Sequence, residues 1–183
     1  QKIKDIYATS IDYDPQTDLS ETFFATGQNK LHWAIHGHTA AELIAERASA
    51  KKPNMGLTTW KGAKVRKSDD TVAKNYLNES EIRSLNRIVT MYLDYAEEQA
   101  ARRRPMHMRD WAERLDAFLQ FNQRDVLQFA GKVSAQVASR MAQEEYEKFH
   151  THRLAEETRR SNDELDALAR RLEKRPGGDS SDE

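Results

Sequence analysis

Apolar side chains recur at intervals of three or four residues along most of this chain, and this spacing is the feature that most constrains its fold. The series are Leu19, Phe23, Phe24, Leu31 and Ile35, then Ile82, Leu85, Val89, Tyr92 and Ala96, and then Met108, Trp111, Leu115, Phe118 and Leu119. Such intervals place side chains on one face of an α-helix, whereas a half-buried strand requires alternation. The sequence therefore predicts an all-α protein, an irregular bundle of about six to seven helices with one long basic loop and a long charged C-terminal helix.

Capping residues mark where several of these helices begin or end. Asp18 or Ser20 follows a turn and is expected to cap the first helix. Residues 39–42 and residues 78–81 both have the spacing of a capping box, in which the first and fourth side chains satisfy backbone donors at the helix start. Pro105 is expected to lie beyond the end of the helix that follows the second box.

The pattern divides the chain into three regions. Residues 1–134 are predicted to form a helical domain, and residues 135–175 a long charged helix. Residues 176–183, rich in Gly, Ser and Asp, are predicted to be a disordered tail. A three-and-four spacing like that of a short coiled-coil seam is present at Leu165, Leu168 and Leu172. The long helix is therefore a candidate site of homo-oligomerisation.

Composition excludes several classes of protein. The chain has no cysteine, which rules out disulfides and thiolate chemistry. No run approaches the ~18 consecutive apolar residues that a membrane span needs, and no apolar signal core follows Gln1. We therefore expect a cytoplasmic protein that makes no membrane contact. We also expect further chain upstream, because Gln1 leads directly into a helix-like stretch.

The positive charge of the chain is concentrated in one stretch. Residues 47–74 hold eight Lys and Arg against two Asp and Glu, although the whole chain has a net charge of −1. Within this stretch, residues 51–67 lack a helical pattern and are the predicted loop. Its candidate phosphate- or partner-binding side chains are Thr58, Thr59, Trp60, Lys61, Lys64, Arg66 and Lys67. Cations around an aromatic ring suit phosphate or nucleic acid. In the alternative interpretation, Leu57 and Trp60 fill the core while the lysines keep the loop solvated.

Three histidines lie within seven residues, at His32, His36 and His38. His32 and His36 share one helical face, a spacing that can chelate a metal. The zinc-protease pattern requires Glu directly after the first His, and Trp33 stands there, so we predict no metal site. The simpler interpretation is a buried His32 with exposed His36 and His38 at a helix C-terminus, where the helix dipole favours histidine.

The same segment has a degenerate likeness to Fic/Doc nucleotidyl- and phosphotransferases. Their motif places a histidine general base before a glycine-rich turn that holds phosphates at the next helix N-terminus. Here the likeness is limited to His32 and residues 37–39, and the Pro, Phe, Asn and Arg of the motif have no counterpart. Under this alternative His32 is the base, residues 61–67 are the phosphate clamp, and ATP with magnesium is the cofactor. Otherwise we expect no cofactor.

Several longer runs are specific enough to compare with protein families. They are Ile6-Tyr7-Ala8-Thr9-Ser10-Ile11-Asp12-Tyr13, Gln28-Asn29-Lys30-Leu31-His32-Trp33-Ala34, Thr39-Ala40-Ala41-Glu42-Leu43-Ile44, Gly56-Leu57-Thr58-Thr59-Trp60-Lys61-Gly62, Ala73-Lys74-Asn75-Tyr76-Leu77 and Asp110-Trp111. Together these runs resemble the C-terminal region of the RhuM family of bacterial virulence-associated proteins over residues 1–134.

The resemblance implies little about chemistry. Family members often carry an upstream region like a DNA-binding helix-turn-helix, occur in pathogenicity islands, and have no agreed catalytic residues. The positions that match family motifs are Asn29, Lys30, His32, Thr58, Thr59, Trp60 and Lys61. We therefore expect an effector or regulatory domain that binds protein or nucleic acid through the histidine segment and the loop of residues 51–67.

Overall fold

A computed structural model describes residues 10–14 and 16–173 of the chain. The predicted disordered tail, residues 176–183, and the first part of the N-terminal run, residues 6–9, lie outside these described residues. None of the helices in the described ranges combines the length and the apolar composition that a membrane crossing requires.

The described residues form five α-helices and no strand, which confirms the all-α class. The helices are α1 (Asp18–His36), α2 (Ala40–Arg47), α3 (Glu79–Ala101), α4 (Met108–Phe121) and α5 (Ala135–Glu173). About six to seven helices were expected for the whole chain; the described residues hold these five and three short 3₁₀ segments, Pro53–Gly56, Lys67–Asp69 and Ala73–Tyr76. A proline, two positive-φ residues and a glycine in the first of these segments prevent a longer helix.

The helix ends follow the capping chemistry of the sequence, with one correction. Thr17 caps α1 through its side chain, so the expectation of Asp18 or Ser20 was wrong by a residue or more. Both predicted capping boxes are present, at the start of α2 and at the start of α3. Pro105 lies between α3 and α4, and α3 ends before it, as expected.

The apolar side chains form two core clusters rather than one. Cluster A joins α1, α3 and α4 and includes Phe24, Leu31, Ile88, Tyr92, Trp111 and Leu115. Cluster B joins α2, residues 55–77 and the first half of α5 and includes Leu43, Met55, Tyr76, Leu77, Ala142 and Tyr146. Leu85 packs against both clusters, so α3 links the two halves of the fold.

Helix α5 changes character along its length. Its first half buries Ala138, Ala142 and Tyr146 against cluster B. From residue 154 onward every side chain that the structure describes is exposed. We call residues 154–173 the arm. At about 1.5 Å per residue the arm is about 30 Å long.

Candidate functional site

The three histidines form one cluster at the C-terminal end of α1. The Nδ1 of His32 lies 3.1 Å from the Nε2 of His36, and the Nδ1 of His38 lies 2.9 Å from the carbonyl oxygen of His36. The rings of His36 and His38 stack, with centroids 5.8 Å apart. Gly37 makes this cluster possible, because its φ of 75° ends α1 and turns the chain back beneath His36.

Burial controls the protonation of two members of this histidine cluster. His32 is 8% exposed, and desolvation lowers its pKa to about 4. His36 is half-buried, and desolvation together with the neighbouring His32 lowers its pKa to about 4. The expectation of an exposed His36 was therefore wrong, and both imidazoles are neutral at pH 7.

An ion pair borders the histidine cluster. Arg47 at the end of α2 donates to both carboxylate oxygens of Glu81 in α3, at 2.7 Å each, and also to the carbonyl oxygen of Tyr76. These hydrogen bonds lower the pKa of Glu81 to about 2. The negative charge of Glu81 raises the pKa of both His32 and His36, but by less than burial lowers it.

We call residues 51–67 the basic segment. Its threonines and its tryptophan make contacts that hold the fold together. The hydroxyl of Thr58 donates to the carbonyl oxygens of Asn75 and Leu77, and that of Thr59 to the Asn75 side chain at 3.4 Å. Leu57 is buried and Trp60 packs partly buried against cluster B, as the core-filling interpretation expects. These contacts fix residues 57–60 against the chain that precedes α3.

The lysines of the basic segment pair with carboxylates on α5. Lys64 lies 2.6 Å from Glu157, and Lys67 lies 2.8 Å from Glu147. Arg153 of α5 donates to the carbonyl oxygen of Val65 in the same segment. The segment therefore lies along α5, and part of its positive charge is compensated within the chain.

The other predicted site residues are distributed over the fold. Asn29 accepts a hydrogen bond from the backbone N–H of Ala40 at 3.1 Å and so joins α1 to the start of α2. Lys30 points elsewhere and pairs with Asp116 of α4 at 2.6 Å. Lys61 and Arg66 are exposed. The structure thus brings His32, His36 and His38 together, but it places Lys30 in a separate ion pair.

Comparison with protein families identifies the family of this chain. Residues 1–157 match the model of the Virulence protein RhuM family. The chain belongs to the RhuM family. No curated protein and no solved structure matches it. The match is longer than the resemblance noted above, which covered residues 1–134. It ends inside α5, close to where the arm begins.

The acidic partners of the basic segment in this RhuM-family chain were not predicted from its sequence. A signal for them was present, since residues 144–183 hold twelve Asp and Glu against eight Lys and Arg, opposite in sign to residues 47–74. Two oppositely charged segments of one chain attract each other when the fold brings them together. Spacing within each segment carried no information about this pairing.

The buried carboxylate of Asp70 was not predicted from the sequence either. The residue is 0% exposed, and neither side-chain oxygen has a hydrogen-bond partner among the described residues. Desolvation raises the pKa of Asp70 to about 6. Aspartates in short loops are usually exposed. Only the packing of cluster B around this turn could therefore have revealed the burial of Asp70.

Proposed function

We propose that this chain is a regulatory, partner-binding domain of a RhuM-family protein and that its arm associates with the arm of a second copy. The observation that carries the proposal is the exposure of the arm's leucines: Leu154 is 49% exposed, Leu165 60% and Leu168 54%. Large apolar side chains repeated on one side of a projecting helix are typical of helix–helix association.

Beyond Glu157 the arm packs against no other part of the described chain. The hydrogen bonds and packing that hold the first half of α5 involve residues up to Glu157, and the described side chains beyond it are exposed. The packed first half of α5 nucleates the helix, but beyond it the arm is held only by helix propagation, which contributes little per residue in water. Association with another helix supplies the missing burial.

The charges of the arm favour a second copy in antiparallel orientation. Leu165 and Leu168 occupy the core positions of a heptad pattern that includes Leu154, Thr158 and Ser161. In the antiparallel register that packs Leu165 of one copy against Leu168 of the other, Glu164 faces Arg171. Two-fold symmetry forms each of these contacts twice. The register therefore joins apolar burial with two opposite-charge pairs.

The molar mass in solution, measured by light scattering over a wide concentration range, tests this proposal. We expect the parent to form dimers as concentration rises and Leu168→Glu to remain monomeric. Ala167→Glu adds the same charge to the neighbouring position of the same helix, outside the heptad core, and serves as the matched control that still dimerises. A parent that is monomeric at every concentration refutes self-association.

A charge reversal tests the register. Glu164→Arg places like charges opposite each other in both contacts and is expected to weaken the dimer. Adding Arg171→Glu in the same chain restores opposite charges and is expected to restore association. If the double variant dimerises as weakly as Glu164→Arg alone, the antiparallel pairing is wrong and the arms associate in a different register.

Nucleic-acid binding through residues 51–67 is less well supported, because Lys64 and Lys67 already lie within ion-pairing distance of carboxylates. Phosphate must compete with Glu157 and Glu147 for these ammonium groups. Binding to DNA whose affinity falls steeply with salt, and is strengthened by Glu147→Gln, is the result that favours this alternative.

The transferase alternative has one supporting observation. Burial keeps His32 neutral at pH 7, the state that a general base requires. The cleft that His32 lines, described below, is however lined by none of the cations at residues 61–67 that this alternative assigns to phosphate. Labelling of a target protein by ATP with magnesium, lost in His32→Ala while the circular dichroism spectrum is kept, is the result that favours this activity.

A further inference from the structure

A cleft of about 720 Å³ opens where the two core clusters meet. Leu31 of cluster A, Ile44 of cluster B and the shared Leu85 all line it. Its walls are mostly apolar, with a few amide and hydroxyl groups between them. Small-molecule sites in proteins have this size and this mixture of surfaces.

The charge of the cleft has one sign. Lys74 is the one ionised side chain among the described residues that line it, and no Asp or Glu does. Lys74 is exposed and has no ion-pair partner in the described part of the chain. Its ammonium is therefore available to a ligand, unlike those of Lys64 and Lys67, which carboxylates hold.

Two helix N-termini also face the cleft. Residues 39–41 at the start of α2 and residues 134–135 at the start of α5 both contribute to its lining. The N-terminal end of a helix carries a partial positive charge and favours anions. At α2 the carboxylate of Glu42 already accepts from the backbone N–H of Thr39, so the start of α5 and Lys74 are the groups that favour an anion.

His32 adds a polar group that lacks a partner on one side. The ring is more than nine-tenths buried and lines the cleft, and its Nδ1 pairs with His36. Nothing in the described ranges hydrogen-bonds to its Nε2. This nitrogen is not fully buried, so it is open to solvent or to a ligand that hydrogen-bonds to it.

We propose that this cleft binds a small molecule with an apolar body and a single carboxylate, the body packing against Leu31, Ile44 and Leu85 and the carboxylate approaching Lys74. The ligand is a monoanion because Lys74 supplies the one full positive charge among the described lining residues, and a helix end adds only about half a charge. It is apolar elsewhere because the remaining wall offers few polar partners. This binding is separate from the association of the arm.

Decanoate and 1-decanol are suitable probes, because they share an apolar chain and differ in charge. Titration of the full chain is followed by amide-resolved NMR. We expect decanoate to shift the amides of residues 28–32, 39–41, 71–74 and 134–139, and to bind more tightly than decanol.

Lys74→Gln is expected to weaken the affinity for decanoate about fivefold, the order for one partly solvated ion pair, and to leave the affinity for decanol unchanged. Lys148→Gln, at an exposed lysine on α5 outside the cleft, is the matched control and is expected to change neither.

Three results overturn the proposal. Decanoate that produces no shifts at millimolar concentration shows that the cleft does not take such a ligand. Equal affinities for decanoate and decanol in the parent remove the role of charge. Adenosine monophosphate that binds at the same amides more tightly than decanoate assigns the cleft to a polar, multiply charged ligand instead.

Discussion

The Nδ1 of His32 lies 3.1 Å from the Nε2 of His36, so one hydrogen bond joins two partly or fully buried imidazoles at the end of α1. Such a bond needs one nitrogen as donor and the other as acceptor. When both rings are protonated, every ring nitrogen is a donor and the bond is lost. The pair is therefore stable in its neutral form, which agrees with the lowered pKa of each ring.

Acid is expected to destabilise the protein through this pair. Each imidazole titrates near 6.5 when unfolded and near 4 in the fold, so the unfolded chain binds more protons between these pH values. The contribution of these rings to the free energy of unfolding is fully present above pH 6.5 and is lost as the pH falls to 4. For His32 it is on the order of 3 kcal/mol. Urea unfolding from pH 7 to pH 4 measures it. His32→Gln is expected to flatten the pH dependence, and His152→Gln, exposed on α5, to leave it unchanged.

Asp70→Asn is expected to stabilise the protein at pH 8 by roughly 1–2 kcal/mol, because it removes a buried charge without a hydrogen-bond partner in the described structure. The pKa of Asp70 is raised from 3.8 to about 6, so the native state takes up its proton as the pH falls through 6. The gain should therefore diminish toward pH 4, opposite in sign to the histidine effect. Free energies of unfolding of parent and variant at pH 8 and pH 4 check this. A variant less stable than the parent at pH 8 shows that the carboxylate has a stabilising partner.

The ion pair of Arg47 and Glu81 is expected to contribute far more than surface pairs do. Arg47→Met removes the guanidinium donor from the Tyr76 carbonyl and from the partly buried Glu81 carboxylate, which keeps only the backbone N–H of Asn78, at a cost of about 2 kcal/mol. The matched control is Arg83→Met, which breaks an exposed pair with Glu79 on the same helix and should cost below about 0.5 kcal/mol. Chemical denaturation measures both. Similar costs for the two variants contradict the role assigned to Arg47.

Alanine substitutions at Gly37 and Gly131 distinguish the cost of backbone strain from the cost of a steric clash. Gly37 and Gly131 both have positive φ, 75° and 89°, so alanine is strained at either position. A Cβ at Gly37 meets nothing within 4 Å, whereas one at Gly131 lies 2.9 Å from Cγ2 of the buried Thr39. We expect Gly37→Ala to cost about 1 kcal/mol and Gly131→Ala about 2 kcal/mol or more, measured by thermal unfolding. Equal costs indicate that Thr39 moves aside freely.

Local features of the fold could be predicted from the sequence because their causes are local. The capping boxes that begin α2 and α3 depend on side chains three residues apart, and the burial of Leu57 and Trp60 follows from their apolar surface. The helical class follows from the three-and-four spacing of apolar residues. Membership of the RhuM family is carried by runs of residues that can be read in order along the chain.

Tertiary structure alone decided which distant groups meet and which remain without partners. The pairing of Lys64 and Lys67 with Glu157 and Glu147 joins residues eighty or more positions apart, and no periodicity encodes it. The cleft exists because two clusters meet at Leu85, a property of packing rather than of composition. The burial of Asp70 and the half-burial of His36 likewise depend on what the fold places over them. Desolvation and charge proximity act through space, so the sequence determined the helices and the family, while the fold determined the electrostatics of the site.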